Sequence, residues 1–387
     1  MGTLFFTRNS GGARRVRTAD LNTASVALSQ LSYGPLERAR TLIKQGITVK
    51  HKYRIIFELK TSVQIRRWLL VLSVFYNQID TKIMNKVLIT GGAGFIGSHT
   101  TDLLLSQDIS VRVLDNLSSG NRDNLPEDHP LLEFIEGDIT DSDTVNNAMK
   151  DVSHCINLAA QVSVVASLEN PEFSAMQNII GFVNVLVAAQ KNKIEKIVYA
   201  SSAAIYGEPS EIPLSEGATK MQLSPYGLEK QVNEEYADMY QRIYGLKSLG
   251  QRFFNVFGPR QDPKSPYAGV IALFVDRISR GEPLTVFGDG AQTRDFIYVG
   301  DVARANVAAL TSDATGACNI ATGQQTTLLD LINVLSDITG NHCEVSHVAP
   351  REGDIQHSLA NPTKMHDALG LKAKTNIRQG LINLIES

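Results

Sequence analysis

The chain is short of the residues that mark secreted, metal-holding or membrane-crossing proteins. Only three cysteines occur in 387 residues, Cys155, Cys318 and Cys343, and none stands in a paired motif. That excludes a disulfide scaffold and fits a reducing cytoplasm. Metal ligands are equally thin. His342 and Cys343 lie near His347, but no further ligands follow at a matching spacing, so no metal is expected. The single tryptophan, Trp68, opens an apolar run to Tyr76 of only nine residues, too few to span a bilayer. The run follows Arg66 and Arg67 too far from the N-terminus to be a secretory signal. Net charge is only −3, which points to neither nucleic acid nor membrane as a partner. Repeats and low-complexity stretches are also missing. What remains is an ordinary globular composition, 43% hydrophobic and 20% charged, long enough for two domains.

The small net charge hides an asymmetry. Residues 1–83 carry 14 Lys+Arg against 4 Asp+Glu, whereas the remainder carries 23 against 36. The basic segment includes Arg14, Arg15, Arg17, Arg38 and Arg40 and lacks steady periodicity. Met84 is the first methionine after Met1 and sits two residues before the strand expected from Lys86. The expectation is that translation starts at Met84 and that residues 1–83 are a misassigned or disordered extension. The alternative is a basic arm that binds an acidic surface.

From Lys86 the chain reads Lys-Val-Leu-Ile-Thr-Gly-Gly-Ala-Gly-Phe-Ile-Gly, ending at Gly97. Val87 to Ile89 has the apolar run of a buried parallel strand. Gly91, Gly94 and Gly97 follow at spacing three, and helical spacing comes after them. In such a turn the first glycine permits the bend, the second lets backbone approach a pyrophosphate, and the third lets the helix pack closely. The helix N-terminus turns its free N–H groups to the phosphates. A second strand, Val111 to Leu114, ends in Asp115, eighteen residues after Gly97, where a carboxylate can accept hydrogen bonds from an adenosine ribose. An acid there repels a 2′-phosphate, so the expected cofactor is NAD and not NADP. The cofactor strip is read as Gly91, Gly94, Phe95, Ile96, Gly97, Asp115 and Asn116.

Strand and helix patterns then alternate, with strands over Lys86–Thr90, Ser110–Asp115, Leu132–Glu136, His154–Asn157, Lys196–Ser201 and Leu246–Phe253. Asn178 to Gln190 reads as an apolar, buried helix. This rhythm predicts an α/β fold, a Rossmann-type doubly wound parallel sheet over 84–255. After Asn255 turns at Gly258-Pro259, Asp262-Pro263 and Gly288-Asp289-Gly290 interrupt the rhythm. A smaller mixed α/β substrate domain is expected over 256–387.

Ser224-Pro225-Tyr226-Gly227-Leu228-Glu229-Lys230 opens a long helix, with Val232, Tyr236, Met239, Tyr240 and Ile243 expected on its apolar side. Tyr226 and Lys230 are four apart and share a face. An ammonium near a phenol favours the phenolate, giving a base that can take a proton from an alcohol as hydride leaves the carbon. The same spacing also occurs as a plain surface pair. Ser201 and Ser202 end the fifth strand, where the carboxyl ends of a doubly wound sheet face the ligand. A serine there can hold the reacting hydroxyl, or merely cap the next turn.

Thr90-Gly91-x-x-Gly94-x-x-Gly97, Ser202 and Tyr226-x-x-x-Lys230 together resemble the extended short-chain dehydrogenase/reductase family. Arg252-Phe253-Phe254-Asn255, Arg294-Asp295-Phe296 and Arg351-Glu352-Gly353-Asp354 are similar to segments of its NAD-dependent UDP-hexose 4-epimerases, above all those acting on N-acetylated sugars. The resemblance runs from Met84 to the C-terminus. It implies that Asp138 and Ile139 contact the adenine, that Leu158, Ala159 and Ala160 pass the cofactor, and that Phe254 packs by the nicotinamide. Ser163 would lie near the sugar, and Asn255, Arg294, Arg351 and Asp354 would hold the UDP. Guanidinium forks suit a diphosphate. The residue four after Asp354 is Ser358, where a tyrosine would crowd the sugar 2-position and a small residue leaves room for an acetamido group. The expected substrates are therefore UDP-N-acetylglucosamine and UDP-N-acetylgalactosamine, with UDP-glucose and UDP-galactose beside them, in a homodimer.

The resemblance also implies a mechanism. Tyr226 takes the proton from the sugar 4-hydroxyl, bridged by Ser202, while C4 gives hydride to NAD. The 4-keto sugar swings about its link to the anchored UDP, and hydride returns to the other face. Lys230 binds the nicotinamide ribose. A 4,6-dehydratase would need an acid pair after the strand-end hydroxyl, where this chain has Ala203 and Ala204. A UDP-glucuronate 4-epimerase or decarboxylase stays open. A non-catalytic NAD-binding subunit would tend to lose the tyrosine and lysine that this chain keeps.

Overall fold

The structure is a computed structural model that describes residues 86–209, 211–263, 269–350 and 355–387, together with two short strands nearer the N-terminus. Those strands, β1 (Phe6–Arg8) and β2 (Gly12–Arg14), pair antiparallel. They belong to one compact unit, 1–80, and all that follows belongs to another, 81–387. The expectations for residues 1–83 lie outside the described residues, those two strands aside.

In the second unit six strands follow in order: β3 (Val87–Thr90), β4 (Val111–Asp115), β5 (Leu132–Glu136), β6 (His154–Asn157), β7 (Lys196–Ser202) and β8 (Lys247–Phe253). Shorter strands come next: β9 (Asn255–Phe257), β10 (Leu284–Phe287), β11 (Thr293–Arg294) and β12 (Phe296–Tyr298). The chain then returns to the main sheet with β13 (Gly316–Ile320), giving seven strands in the order β13-β8-β7-β6-β3-β4-β5, with every neighbouring pair parallel. The strand alternation sends successive side chains to opposite faces. Val87 and Ile89 join Leu104, Val302 and Leu310 in one core, whereas Leu88 joins Val145, Phe182 and Leu186 in another. Helices therefore cover both faces, as a doubly wound sheet requires.

One face is covered by α1 (Phe95–Leu105), the other by α2 (Ser142–Ala148). Two short helices, α3 (Val164–Glu169) and α4 (Pro171–Ala175), lead through a π turn, Met176–Ile180, into α5 (Gly181–Lys191). The helix expected over Asn178 to Gln190 thus begins inside that wide turn. Pro171–Lys191 is long and apolar enough to cross a membrane by length and composition. Here Phe182, Val185 and Leu186 instead bury it against the sheet.

The long helix α6 (Pro225–Tyr244) corrects one expectation in part, although Tyr236 and Tyr240 do pack against the core that holds Leu88. Its buried side is Glu229, Lys230, Asn233, Glu234 and Ala237, whereas Ile243 and Tyr244 are exposed and Val232, Tyr236, Met239 and Tyr240 are half-buried. The polar residues turn inward because partners wait for them. Arg252 on β8 and Ser201 on β7 both bond Glu234. A third core, with Phe257, Ile271, Leu284, Val286 and Leu331, forms a smaller lobe among α7 (Val270–Ser279), β10 and the helix Leu328–Thr339.

Candidate active site

The first βα turn is built by close backbone approach. Gly91 has φ of +70°, and a Cβ on it would lie 2.6 Å from Ala159 N. A Cβ on Gly97 would lie 2.0 Å from Gly91 O, so the third glycine seats α1 on the turn itself. No side chain caps the first turn of α1, and no acid lies within it, which leaves its amides for an anion. Thr90 Oγ1 donates to Asn157 Oδ1 at 2.7 Å and fastens this turn to the end of β6, where Leu158, Ala159 and Ala160 begin.

Asp115 ends β4 with 6% of its surface exposed. Its two oxygens accept N–H bonds from Ala93 and Leu117, both at 2.9 Å, so it braces the glycine turn. A Cβ on Gly120 would lie 3.0 Å from either oxygen, so that glycine lets the loop pass closely over the carboxylate. Asn116 donates to Asp138 Oδ2 at 2.7 Å. Burial works to raise Asp138, but bonds from Thr140, Asn116 and Gln177 outweigh it and hold the carboxyl below its ordinary value. Ile139 is buried against Gly181 of α5.

The chemical residues meet at the carboxyl ends of β7 and β8. Ser202 ends β7, and its Oγ accepts from Ala204 N at 3.1 Å while hydrogen-bonding Tyr226. The capping role expected for a serine here is filled, and the same hydroxyl meets the Tyr226 phenol. Ser224 caps α6 through Gly227 N, and this fixed start sets Tyr226 and Lys230 one turn apart. Lys230 is 2% exposed, donates to Ala200 O at 3.1 Å, and its Nζ lies 5.6 Å from the Tyr226 ring centre. Burial lowers Lys230 to about 8, partly offset by the neighbouring charge of Glu229.

The phenol departs from expectation. Burial raises Tyr226 above its ordinary value, the Ser202 bond lowers it, and the Glu229 charge raises it. Burial is the dominant influence on the phenol, and the Lys230 ammonium bonds the Ala200 carbonyl.

The substrate-side residues are spread. Ser163 is buried at the start of α3, its Oγ accepting from Ala166 N at 3.0 Å. Phe254 is 4% exposed and lies in a small core with Tyr206, Leu214 and Ala360. Asn255 is exposed on β9, paired with Phe296, and Arg294 bonds the Thr293 carbonyl at 3.0 Å. Ser358 is 8% exposed, and its N–H donates to Thr293 O at 3.1 Å, so its segment lies beside β11. Arg351 and Asp354 lie outside the described residues.

Some supports were not read from sequence. Asp295 is fully buried and accepts four bonds, from Thr322 N and Oγ1, Gly323 N and Ala360 N. It thereby fastens the Ser358–Ala360 segment to the end of β13. Arg252, quoted above only as part of a family-like segment, points inward to Glu234, Tyr206 and the Glu216 carbonyl. The signal available for Glu234 was its position four after Lys230, on the same helix face.

The profile of the NAD dependent epimerase/dehydratase family matches residues 87–321. The chain belongs to this family. Family membership makes NAD the cofactor, and the residues fit it: an uncapped helix start, a turn that excludes side chains, and a carboxylate at the end of β4. A UDP-glucose 4-epimerase of Mycolicibacterium smegmatis is 36% identical over 306 residues, 78% of this chain and 97% of that protein. The UDP-N-acetylglucosamine 4-epimerase from Methanobrevibacter ruminantium M1, solved with UDP-N-acetylmuramic acid, superposes with a TM-score of 0.76 at 38% identity, covering 78% of this chain and 97% of the other. The Thermus thermophilus UDP-glucose 4-epimerase, solved with NAD, gives 0.73 at 37% identity, covering 78% and 98%.

Proposed function

We propose that the protein is an NAD-dependent epimerase that inverts C4 of a UDP-hexose through a 4-keto intermediate. The observation that carries this reading is the meeting of Ser202, Tyr226 and Lys230 at the carboxyl ends of β7 and β8, in the same sheet as the glycine turn. NAD, when bound, supplies the hydride acceptor and donor. Tyr226 takes the proton of the sugar 4-hydroxyl and later returns it. Ser202 bonds the phenol and holds the sugar oxygen beside it. Lys230, at about 8, keeps its proton near neutral pH and offers the donors that a ribose needs.

In this reading residues 84–255 hold the cofactor and residues 256–387 hold most of the UDP-sugar. Asn255, Arg294, Arg351 and Asp354 grip the UDP, and Ser163 borders the sugar. Ser358, small and set beside β11, leaves room for an acetamido group. The preferred substrates are UDP-N-acetylglucosamine and UDP-N-acetylgalactosamine, followed by UDP-glucose and UDP-galactose.

We also propose a homodimer. Val165, Leu168, Phe173, Val187, Leu228 and Tyr244 leave apolar surface exposed on α3 to α6, and a second copy of the same face would cover it. The free cysteines, with Cys318 raised by burial to about 12, suit a reducing cytoplasm.

The test is incubation of the purified protein with each UDP-sugar, without added NADH, and chromatography for the 4-epimer. Oxidised product with net NADH release, or no conversion of any UDP-hexose, would contradict the proposal.

A further inference from the structure

Glu229 stands between the catalytic pair in sequence, directly before Lys230, and a tyrosine–lysine base does not by itself require a carboxylate there. Its side chain is 3% exposed. Oε2 accepts from Ser174 Oγ at 2.8 Å and from Asn178 Nδ2 at 2.6 Å. Oε1 is buried without a hydrogen-bond partner among the described residues. A half-satisfied buried carboxylate is costly to a fold, so its presence calls for a use.

Asn178 is the central residue of the π turn Met176–Ile180. Its amide grips Gln161 on both backbone groups: Gln161 N donates to Oδ1 at 2.9 Å, and Nδ2 donates to Gln161 O at 2.9 Å. Gln161 follows Ala160 directly and lies two residues before Ser163. An amide can satisfy its neighbours in two flipped orientations, but a carboxylate oxygen only accepts. The Gln161 backbone sets which end of Asn178 is nitrogen, and Glu229 is the second acceptor that holds that nitrogen in place. Through that amide the catalytic helix is linked to the loop that runs beside the cofactor and the sugar.

The same carboxylate acts on the reacting pair. Glu229 is the charged group acting on both Tyr226 and Lys230, and its charge favours the protonated form of each. The other charged groups near this helix are engaged or distant. Glu234 on α6 pairs with Arg252 of β8 and Lys220, and Tyr199 of β7 faces that pair. Glu169 of α3 and Glu172 of α4 are exposed.

We infer that Glu229 is a positioning residue for the reaction: its buried carboxylate holds the Asn178 amide, and with it the Gln161 loop, on the helix that carries Tyr226 and Lys230, and sets its charge directly beside that pair. This rests on Tyr226 acting as the base, as proposed above.

The experiment is the pH dependence of kcat/KM for wild type, Glu229→Gln and Glu229→Asp, with Tyr226→Phe as control. Glu229→Gln can still accept both hydrogen bonds through its amide oxygen but has no charge. Without that charge both pair members ionise at lower pH, so both limbs of the profile should move to the acid side by roughly half to one pH unit. Glu229→Asp keeps the charge but shortens the reach. Its limbs should stay within about 0.2 pH unit of wild type, while KM for the UDP-sugar rises about tenfold as the Gln161 loop loosens. A purely structural Glu229 would lower the melting temperature of both variants and leave the limbs where they are. Limbs of Glu229→Gln that coincide with wild type overturn the inference. If Glu229→Gln gives no folded protein, Glu229→Asp decides: unchanged KM overturns it. An active Tyr226→Phe enzyme would instead remove the base on which the inference stands, and so separates that failure from this one.

Discussion

Arg252 meets Glu234 through two bonds, Nε to Oε1 at 2.8 Å and Nη2 to Oε2 at 2.7 Å, with side-chain exposures of 3% and 8%. The pair ties β8 to the catalytic helix one turn beyond Lys230. Ser201, beside Ser202, donates to the same carboxylate at 2.7 Å. A single buried carboxylate therefore ties both β8 and β7, which ends in Ser202, to the helix that carries Tyr226.

Arg252→Met should cost roughly 3–5 kcal/mol of stability, because it strands the buried Glu234 carboxylate. The pH dependence has a defined sign. Burial works to raise Glu234, but Arg252, Ser201 and Lys220 outweigh it and hold it below its ordinary 4.5. Its contribution is complete above 4.5 and fades as pH falls through the lower folded value. Thermal melts between neutral and acid pH should show that loss in wild type and a weaker one in Arg252→Met. Equal melts at neutral pH would refute the role.

Gly91→Ala should lose both stability and NAD. Its φ of +70° disfavours a side chain, and the new Cβ would meet Ala159 N at 2.6 Å. A cost on the order of 2 kcal/mol is expected from strain alone, read by denaturant titration, with NAD binding measured by calorimetry. Wild-type affinity for NAD would show that the turn does not border the cofactor.

Tyr226→Phe should reduce turnover by roughly 10²–10⁴-fold, the usual range for a lost general base, while NAD still binds. The ring remains and only the hydroxyl that bonds Ser202 is removed. Turnover near wild type would dismiss Tyr226 from the chemistry.

Ser358→Tyr should abolish conversion of the N-acetylated nucleotides and spare UDP-glucose and UDP-galactose. The position is 8% exposed and its backbone is fixed to Thr293, so a phenol there has little freedom to withdraw. Competing-substrate assays on one preparation would read the ratio. Parallel loss of all four activities, or no change in any, would show that Ser358 is not the gate.

Phe173→Asp combined with Val187→Asp should yield monomers, since these side chains are 53% and 48% exposed on the apolar face. Light scattering across a concentration series measures the mass. A double variant with wild-type mass would leave that face without its assigned partner.

The sequence made the sheet legible, and the catalytic helix only in part. Leu132–Glu136 and His154–Asn157 were read with the boundaries the structure has, the first as a half-exposed edge strand and the second as a fully buried inner one. The Tyr226–Lys230 helix was placed, but its inner face was read from Val232, Tyr236 and Met239. Apolar periodicity cannot anticipate that Arg252, distant in sequence, draws Glu234 inward. The phenol was misjudged for a related reason. Spacing sets Lys230 on the same face as Tyr226, but it does not reveal that burial outweighs other influences on the phenol. The π turn was missed for a third reason: it shifts apolar spacing by a single residue, too little to stand out within a uniformly apolar stretch.

The return of β13 to the main sheet has a consequence in time. Until residues 316–320 have been synthesised, β8 has no neighbour on its outer side, and its row of N–H and C=O groups is an open edge. Chains grow from the N-terminus, so a nascent chain that has just completed β8 holds that edge unpaired while the next lobe is made. Premature termination between Phe253 and Gly316 should therefore release fragments that pair with one another through β8, and these fragments should aggregate more readily than fragments ending after Ile320.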